Sequence, residues 1–174
     1  MWPADALKEW REFYLLVGTA GATLLALLFV AVTLGAGYLT EKRQAPTRTF
    51  MSPVVIHFTS VFFLSAVAMV PEHGATFFAT LIGATAVIGA AVSSYITVQV
   101  LRTNLTGYVQ DYLAYGLLPV FGYLALLAAA VTISLKMEIG LDVLAGALLL
   151  LAIVNIRNAW DLTLVMVRHH RGRR

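Results

Sequence analysis

Five long apolar segments make up most of this chain and restrict what it can fold into. A helix that crosses the ~30 Å hydrocarbon core of a bilayer needs roughly 20 apolar residues. The second segment is shorter than this, and the other four are long enough. Backbone groups find no hydrogen-bond partner in lipid, so such segments are expected to be helical. The sequence therefore predicts an all-α bundle of five transmembrane helices, one domain over residues 1–174, with spans at about residues 13–39, 53–70, 75–100, 113–135 and 140–167.

The composition supports a membrane protein and excludes several functional classes. Hydrophobic residues make up 60% of the chain, charged residues only 12%, and the mean hydropathy is +0.83. A typical soluble domain has about 25% charged residues, so most of this surface is expected to face lipid. The absence of cysteine excludes disulfides, thiolate catalysis and cysteine-ligated metals. We expect no cofactor, no metal and no nucleic-acid partner.

The charges in the polar stretches predict the orientation. In chain order, the N-terminal tail, the four loops and the C-terminal tail carry net charges of −1, +2, −1, 0, −1 and +4. Stretches that remain in the cytoplasm are enriched in Lys and Arg. The alternation therefore predicts an N-terminus outside and a C-terminus in the cytoplasm. The basic residues of the C-terminal tail are expected to meet anionic lipid headgroups, at ~1 kcal/mol each; they are Arg168, Arg171, Arg173 and Arg174.

Two prolines suggest where helices begin or bend. The polar stretch 40–52 is predicted to be a loop, with Pro53 in the first turn of the second helix. A proline is tolerated there because its missing N–H would have no intrahelical partner. Pro119 predicts a kink in the fourth helix, which neighbouring groups must help to satisfy.

The last segment, Gly140–Val167, carries charged residues inside an otherwise apolar run. Arg157 and Asp161 are four residues apart, which places them on one helical face within reach of each other. An ionisable residue inside a membrane is a functional-site hypothesis with a named partner. The alternative is a structural ion pair in which Arg157 extends toward the cytoplasmic surface.

Polar residues of the second, third, fourth and fifth segments are predicted to fall in one layer at the cytoplasmic side, with Tyr112 and Tyr115 at that end of the fourth. Facing lipid would be costly for Arg157, Asp161 and His57, so we expect a polar cluster between the helices. His57 is either a hydrogen-bonded packing residue or a ligand or proton relay. The predicted cluster consists of His57, Ser60, Ser94, Thr97, Asn155, Arg157, Asn158 and Asp161.

Small residues recur along the third segment. Thr85, Gly89 and Ser93 are spaced by four, and Gly83 lies on a neighbouring row. Such spacing allows two helix backbones to approach closely in a membrane. These four residues are therefore predicted to form a helix-packing surface.

Enzyme signatures do not support catalysis. The chain has no H-E-x-x-H, G-x-S-x-G or P-loop sequence, and no pair of histidines suggests a haem or di-metal site between spans. An intramembrane hydrolase built from His57, a serine and Asp161 is conceivable but has low specificity as a pattern. We assign no catalytic residue.

Three short stretches carry a resemblance to a known family. The first span reads VGTAGATLLALLFVAVTLG over Val17–Gly35, the second ends with VPEHG at Val70–Gly74, and the last carries NAWDL at Asn158–Leu162. In these stretches the chain resembles small bacterial membrane proteins described as modulator-of-FtsH-protease-like. The similarity covers the two ends of the chain better than the fourth span. It implies a multi-pass protein of the bacterial inner membrane with no established catalytic residues.

The sequence favours a non-enzymatic function and leaves a second class open. The first prediction is a membrane-embedded partner or modulator subunit, which joins a membrane protein or a homo-oligomer. In it, His57, Asn155, Arg157 and Asp161 hold the cytoplasmic side of the bundle. The rival is a homo-oligomeric ion channel or small-solute transporter. Its pore lies between subunits, and these residues line the inner mouth.

Overall fold

Every element of the described chain is a helix, as predicted. The computed structural model describes residues 6–35, 41–71, 74–103 and 113–171, and no strand occurs in these ranges. A π-helical turn over Leu113–Leu117 leads directly into α5. The α-helices are α1 (Ala6–Glu9), α2 (Arg11–Gly35), α3 (Glu41–Ala68), α4 (Ala75–Thr103), α5 (Leu118–Ser134) and α6 (Ile139–Arg171).

Four helical stretches are long and apolar enough to cross a membrane, which is the pattern of a multi-pass membrane protein. The apolar part of α3, Pro53–Ala68, is shorter. At 1.5 Å per residue it covers about 24 Å, somewhat less than a typical hydrocarbon core. The four long stretches are Arg11–Thr33, Ala75–Gln99, Tyr115–Ser134 and Ile139–Asp161.

The predicted loop at residues 40–52 is wrong over its described part. α3 begins at Glu41 and continues through Pro46 and Pro53 to Ala68, a length of 28 residues. Pro53 is therefore a buried residue in the helix interior and does not lie in a first turn. The residues EKRQA at the start of α3 are good helix formers, but their propensity alone does not offset the cost of two interior prolines, and the structure offers no further explanation for the extension. α3 thus carries a polar extension on the N-terminal side of its apolar part.

Pro119 is accommodated by a change of helix type. The π-helical turn ends at Leu117, and Pro119 lies in the first turn of α5. A proline inside a helix removes one hydrogen bond and its ring clashes with the carbonyl four residues earlier. A π turn shifts the hydrogen-bond register at this point. The sequence predicted a kink at Pro119; the structure has a π-helical turn at Leu113–Leu117 and places Pro119 in the first turn of the α-helix that follows.

The helices form one bundle in which α5 lies between α4 and α6 and packs closely against both. α3 contacts α4 and α6, and α2 lies on α3 and α6 at the edge of the bundle. The contact of Gly18 with Ser65 joins the start of α2 to the end of α3, and that of Gly116 with Thr97 joins the turn before α5 to the end of α4, so each of these two helix pairs is antiparallel. The largest fully buried apolar side chains of the main core include Phe78, Ile82, Leu126, Leu144 and Leu148.

Four threonine hydroxyls on the outer surface form their hydrogen bonds within their own helix. Each donates to a carbonyl oxygen four residues earlier, at 2.8–2.9 Å. Lipid offers no partner to a hydroxyl, so this internal bond removes most of the penalty of exposing it. The threonines concerned are Thr23, Thr33, Thr80 and Thr132.

α5 ends in a turn that places Lys136 in the left-handed region of backbone space. Lys136 has φ 58°. Its N–H donates to the carbonyl of Ile133 at 2.9 Å, and the N–H of Met137 donates to the carbonyl of Thr132 at 2.9 Å. This pair of bonds is the Schellman arrangement, which favours glycine at the left-handed position.

Replacing Lys136 by glycine is expected to stabilise the protein. The side chain is exposed, so the change acts mainly through the backbone, and relief of the left-handed strain is worth ~1 kcal/mol. Thermal unfolding in detergent should show a higher midpoint for Lys136→Gly and a lower one for Lys136→Val. A lower midpoint for both variants would contradict the assigned turn.

Candidate functional site

Tyr123 of α5 lies in the centre of the bundle and connects the polar residues around it. Its side chain is fully buried. The ring occupies the space that a Cβ on Gly89 of α4 would need. On the other side, Gly122 admits Leu151 of α6, whose Cδ2 would lie 2.6 Å from a Cβ there. Glycines therefore bring α5 into close contact with both neighbours, as is usual in packed transmembrane helices.

The hydroxyl of Tyr123 joins two side chains of α3. Its Oη lies 2.9 Å from Nδ1 of His57 and 3.1 Å from Oγ of Ser60. Ser60 Oγ also donates to the carbonyl oxygen of Ile56, at 2.9 Å. A hydroxyl has one proton, and a carbonyl only accepts. Ser60 therefore uses its proton on Ile56, Tyr123 donates to Ser60, and His57 Nδ1 donates to Tyr123.

This proton count assigns the tautomer of His57. In a neutral ring with the proton on Nδ1, Nε2 is an acceptor with a free lone pair. The His57 side chain is 1% exposed, and its Nε2 has no hydrogen-bond partner among the described residues. Buried polar atoms of this kind are typically satisfied by an ordered water or another small donor. His57 is thus both a packing residue and a buried acceptor.

Two hydrogen bonds tie α6 to its neighbours at the level where the apolar part of α3 begins. Asn155 Nδ2 donates to the carbonyl oxygen of Val54 on α3 at 2.8 Å. Tyr115 Oη donates to the carbonyl oxygen of Asn158 at 3.1 Å. Both asparagine side chains are buried. Interhelical hydrogen bonds in membranes are worth ~0.6–2 kcal/mol each, so these two contribute to holding this end together.

Arg157 and Asp161 lie on the outer surface of α6, apart from the interior cluster. Their side chains are 43% and 38% exposed, and Arg157 Nε lies 4.0 Å from Asp161 Oδ2. Because facing lipid is costly for charged groups, both residues were expected to point into the bundle. α6 instead presents its asparagines to the bundle, and the side chains of Arg157 and Asp161 lie at the margin of the buried face, where they are about two-fifths exposed. The predicted cluster therefore divides into a buried group and an exposed ion pair.

We expect this ion pair to contribute little to folding. A half-exposed pair at 4.0 Å is long for a salt bridge, and such pairs contribute ~0–1 kcal/mol. Arg157→Ala and Asp161→Ala should each change the unfolding free energy of the monomer by less than ~0.5 kcal/mol. A double-mutant cycle checks this. A coupling well above 1 kcal/mol would show that the pair supports the fold.

Ser94 and Thr97 of α4 have different surroundings. Ser94 is exposed on the outer surface, away from the buried group. Thr97 is partly buried, donates to the carbonyl oxygen of Ser93 in its own helix at 2.7 Å, and packs on Gly116. Only Thr97 lies at a helix contact.

The small residues of α4 lie largely at its contact with α5. Ser93 is buried, as is Gly89 beneath Tyr123. A Cβ on Gly83 would lie 3.6 Å from the Cβ of Ala130 on α5, an ordinary contact. Thr85 is partly buried, and its hydroxyl donates to the carbonyl oxygen of Leu81 at 2.8 Å.

The basic tail is described only in part. α6 continues to Arg171, so the backbone at Arg168 and Arg171 is helical. The side chains of both residues, and Arg173 and Arg174 altogether, lie outside the described part of the chain.

A shallow groove of about 210 Å³ opens between α3 and α4. Ser60 forms part of its wall, so the hydrogen-bonded chain from His57 through Tyr123 ends at this groove. Within the described ranges, no three His, Asp or Glu side chains come together to hold a metal ion. The groove is lined by Val55, Ile56, Thr59, Ser60, Phe63 and Thr85.

Tyr123 is the residue of this site that the sequence analysis missed. It lies near the middle of the fourth apolar segment, far from either membrane surface. A tyrosine is usually placed at a membrane interface, and one buried in an apolar run needs a partner for its hydroxyl. The position of Tyr123 in the middle of an apolar segment therefore indicated a buried hydrogen-bond partner. His57 and Ser60 on α3 were candidates for that partner.

The chain was compared with family models, curated proteins and solved structures, and none of them matches.

Proposed function

We propose that the chain is a non-enzymatic, membrane-embedded partner subunit of the bacterial inner membrane. It crosses the membrane five times, with α3 as the short second span, the N-terminus outside and the C-terminus in the cytoplasm. The loop charges support this orientation. The arginines of the tail bind anionic headgroups on the cytoplasmic side. Membership of the modulator-like family remains a prediction from three short stretches.

One observation carries the proposal: the charged pair of α6 faces outward while the interior polar groups link the helices to each other. The hydrogen bonds of Asn155 and Tyr115 join α6 to α3 and to the π-helical turn that precedes α5. Arg157 and Asp161 pair with each other and are half exposed on an apolar helix. Ionisable residues within a span normally face a protein or a water-filled space. The outer face of α6 is therefore where we place the partner.

A homo-oligomeric channel or transporter is the second candidate. Of the residues predicted to line its inner mouth, Arg157 and Asp161 are substantially exposed, and Ser94 of the same polar layer is exposed as well. A pore between subunits could be lined only by such residues, since the buried ones are enclosed within one chain. Polar lining of this kind is what ion conduction requires.

Native mass spectrometry of the gently solubilised complex separates the two candidates. A complex whose mass exceeds a multiple of the 18.9 kDa chain by that of another protein supports the partner subunit. Multiples of the chain alone, combined with ion flux into liposomes that changes in Arg157→Ala, support the channel. A lone 18.9 kDa monomer in several mild detergents would contradict both proposals.

A further inference from the structure

Four helices form a closed ring around the interior of the bundle. α3 contacts α4 and α6, and α5 packs against both of these on the opposite side. The hydrogen bonds of Tyr123 to α3 cross the ring. Each helix contributes a buried polar side chain to this region, and we call these four residues the polar layer: His57 (α3), Ser93 (α4), Tyr123 (α5) and Asn155 (α6).

Three polar atoms of this layer have no hydrogen-bond partner among the described residues. They are Nε2 of His57, Oγ of Ser93 and Oδ1 of Asn155. The three side chains are 1%, 1% and 0% exposed, so neither bulk water nor lipid headgroups reach them. Burying an unsatisfied polar atom is costly, and native proteins contain few of them. Three such atoms in one region indicate a shared partner.

Contacts between the helices establish their directions in the ring. α4 runs antiparallel to α5, since Thr97 near its end meets the turn before α5. On α6, Leu151 lies against Gly122 of α5. Further along α6, Asn158 accepts a hydrogen bond from Tyr115, which precedes α5. α6 is therefore antiparallel to α5 as well, and α4 and α6 run in the same direction.

α3 runs in the opposite direction to α4 and α6. Val54 of α3 accepts a hydrogen bond from Asn155, and the later residue His57 meets Tyr123. Tyr123 lies at the level of Leu151, which precedes Asn155 by one turn. Residue numbers of α3 therefore rise where those of α6 fall.

These directions bring the three unpartnered atoms to one level. Helical side chains lean toward the N-terminus of their own helix. Ser93 is one turn past the glycine beneath Tyr123, so both Ser93 and Asn155 lean toward the level of Tyr123. His57 leans the other way, toward the level of Val54 and thus toward Asn155. The atoms converge on a layer about one helical turn, ~5.4 Å, in thickness.

Hydrogen-bond donors and acceptors decide what this layer can bind. Nδ1 of His57 carries the ring proton, so Nε2 can only accept, as can Oδ1 of Asn155. The shared partner must therefore donate two hydrogen bonds. No carboxylate is buried in the described part of the bundle, so a bound cation would remain an uncompensated charge. Water is neutral, has two donors, and has two to four polar partners when buried.

We infer that the polar layer binds one water molecule. It donates to Nε2 of His57 and to Oδ1 of Asn155, and it accepts from the hydroxyl of Ser93. The water joins α3, α4 and α6, and Tyr123 connects the same layer to α5. This inference goes beyond the proposed function and does not depend on what binds the outer face of α6.

Solid-state NMR of the protein in lipid vesicles tests the inference. With isotope-labelled nitrogen, magnetisation from water protons should reach the side-chain nitrogens of His57 and Asn155, although these residues are at most 1% exposed. The backbone amides of Leu144 and Leu148, also fully buried, are the control and should receive several-fold less. Transfer to His57 and Asn155 no larger than to these amides overturns the inference.

Variants of His57 test whether the residues share the water. In His57→Asn the amide nitrogen can take the place of Nδ1 and keep the bond to Tyr123, but the acceptor Nε2 is lost. Transfer from water to Asn155 should therefore fall in His57→Asn. His57→Gln places an amide group near the position of Nε2 and should retain that transfer. Transfer to Asn155 that is unchanged in His57→Asn overturns the shared water.

Ser93→Ala provides a thermodynamic check. His57 and Ser93 share no direct hydrogen bond, so any coupling between them passes through the bound molecule. Ser93→Ala should lower the midpoint of thermal unfolding in the wild type and lower it clearly less in His57→Asn. Equal losses in the two backgrounds overturn the inference.

A bound cation would give a different result. Thermal unfolding in sodium, potassium or ammonium chloride should show the same midpoint as in choline chloride at equal ionic strength, because water is the occupant. A higher midpoint in one of these salts that disappears in His57→Asn would assign a cation to the polar layer and overturn the water.

Discussion

Replacing Gly89 by alanine is expected to unfold or strongly destabilise the protein, by ~3 kcal/mol or more. Overpacking a core usually costs about 1–3 kcal/mol, and this site lies at the upper end because the new methyl group would overlap the buried ring of Tyr123. The ring cannot move aside without giving up the hydrogen bonds of its hydroxyl to His57 and Ser60. Thermal unfolding in detergent, followed by circular dichroism, measures the effect.

Gly83→Ala is the matched control for this prediction. It lies on the same helix and faces the same neighbour, but its added Cβ would make an ordinary contact of 3.6 Å with Ala130. It should be neutral or slightly stabilising, because alanine is the better helix former by ~1 kcal/mol. Equal loss of stability in Gly83→Ala and Gly89→Ala would mean that α4 tolerates no added methyl group along this contact. Overlap with the ring of Tyr123 would then not be the cause of the effect at Gly89.

Removing the side chain of Tyr123 is expected to have the second large effect. Tyr123→Ala deletes a fully buried ring, and large aromatic-to-alanine changes in cores cost about 3–5 kcal/mol. Tyr123→Phe keeps the ring but leaves the Nδ1–H of His57 without an acceptor, for about 1–3 kcal/mol. Unfolding midpoints should therefore fall in the order wild type, Tyr123→Phe, Tyr123→Ala.

Tyr95 offers a control for loss of a tyrosine as such. It lies on α4 with 65% of its side chain exposed, so Tyr95→Ala should change stability little. A double variant adds a direct check of the packing. Gly89→Ala with Tyr123→Ala should be no less stable than Tyr123→Ala alone, since the new methyl group then has room. An additive loss would show that the clash lies elsewhere.

The helical class and the main spans were predictable because a bilayer leaves few choices. Apolar runs of sufficient length must be helical, and predicted spans such as 75–100 and 140–167 fall within α4 and α6. The start of α3 was not predictable in the same way. Pro46 and Pro53 argue against a helix there, and the propensity of the flanking residues alone does not offset their cost.

The direction in which each polar side chain points was harder to predict than its depth along the span. Sequence position shows that Asn155 and Arg157 lie at similar depth, but two residues on a helix differ by about 200° in direction. The structure assigns Asn155 to the interior, where its amide finds the carbonyl of Val54, and Arg157 to the outside. Which residue points inward depends on which neighbouring helix offers a hydrogen-bond partner. A single sequence does not contain that information. Whether the buried group or the exposed pair carries the function stays a prediction.

The π turn at Leu113–Leu117 has a consequence for how this chain should be aligned with any relative. A π turn is one residue longer than the α turn it replaces, so it has the character of a single-residue insertion inside a helix. A homologue lacking that residue would keep everything after the turn in register, Tyr123 included. Residues before the turn would be rotated about the helix axis relative to those after it, and the hydrogen bond from Tyr115 to Asn158 would be lost. Alignment gaps belong at this turn, although conventional scoring disfavours gaps within transmembrane segments.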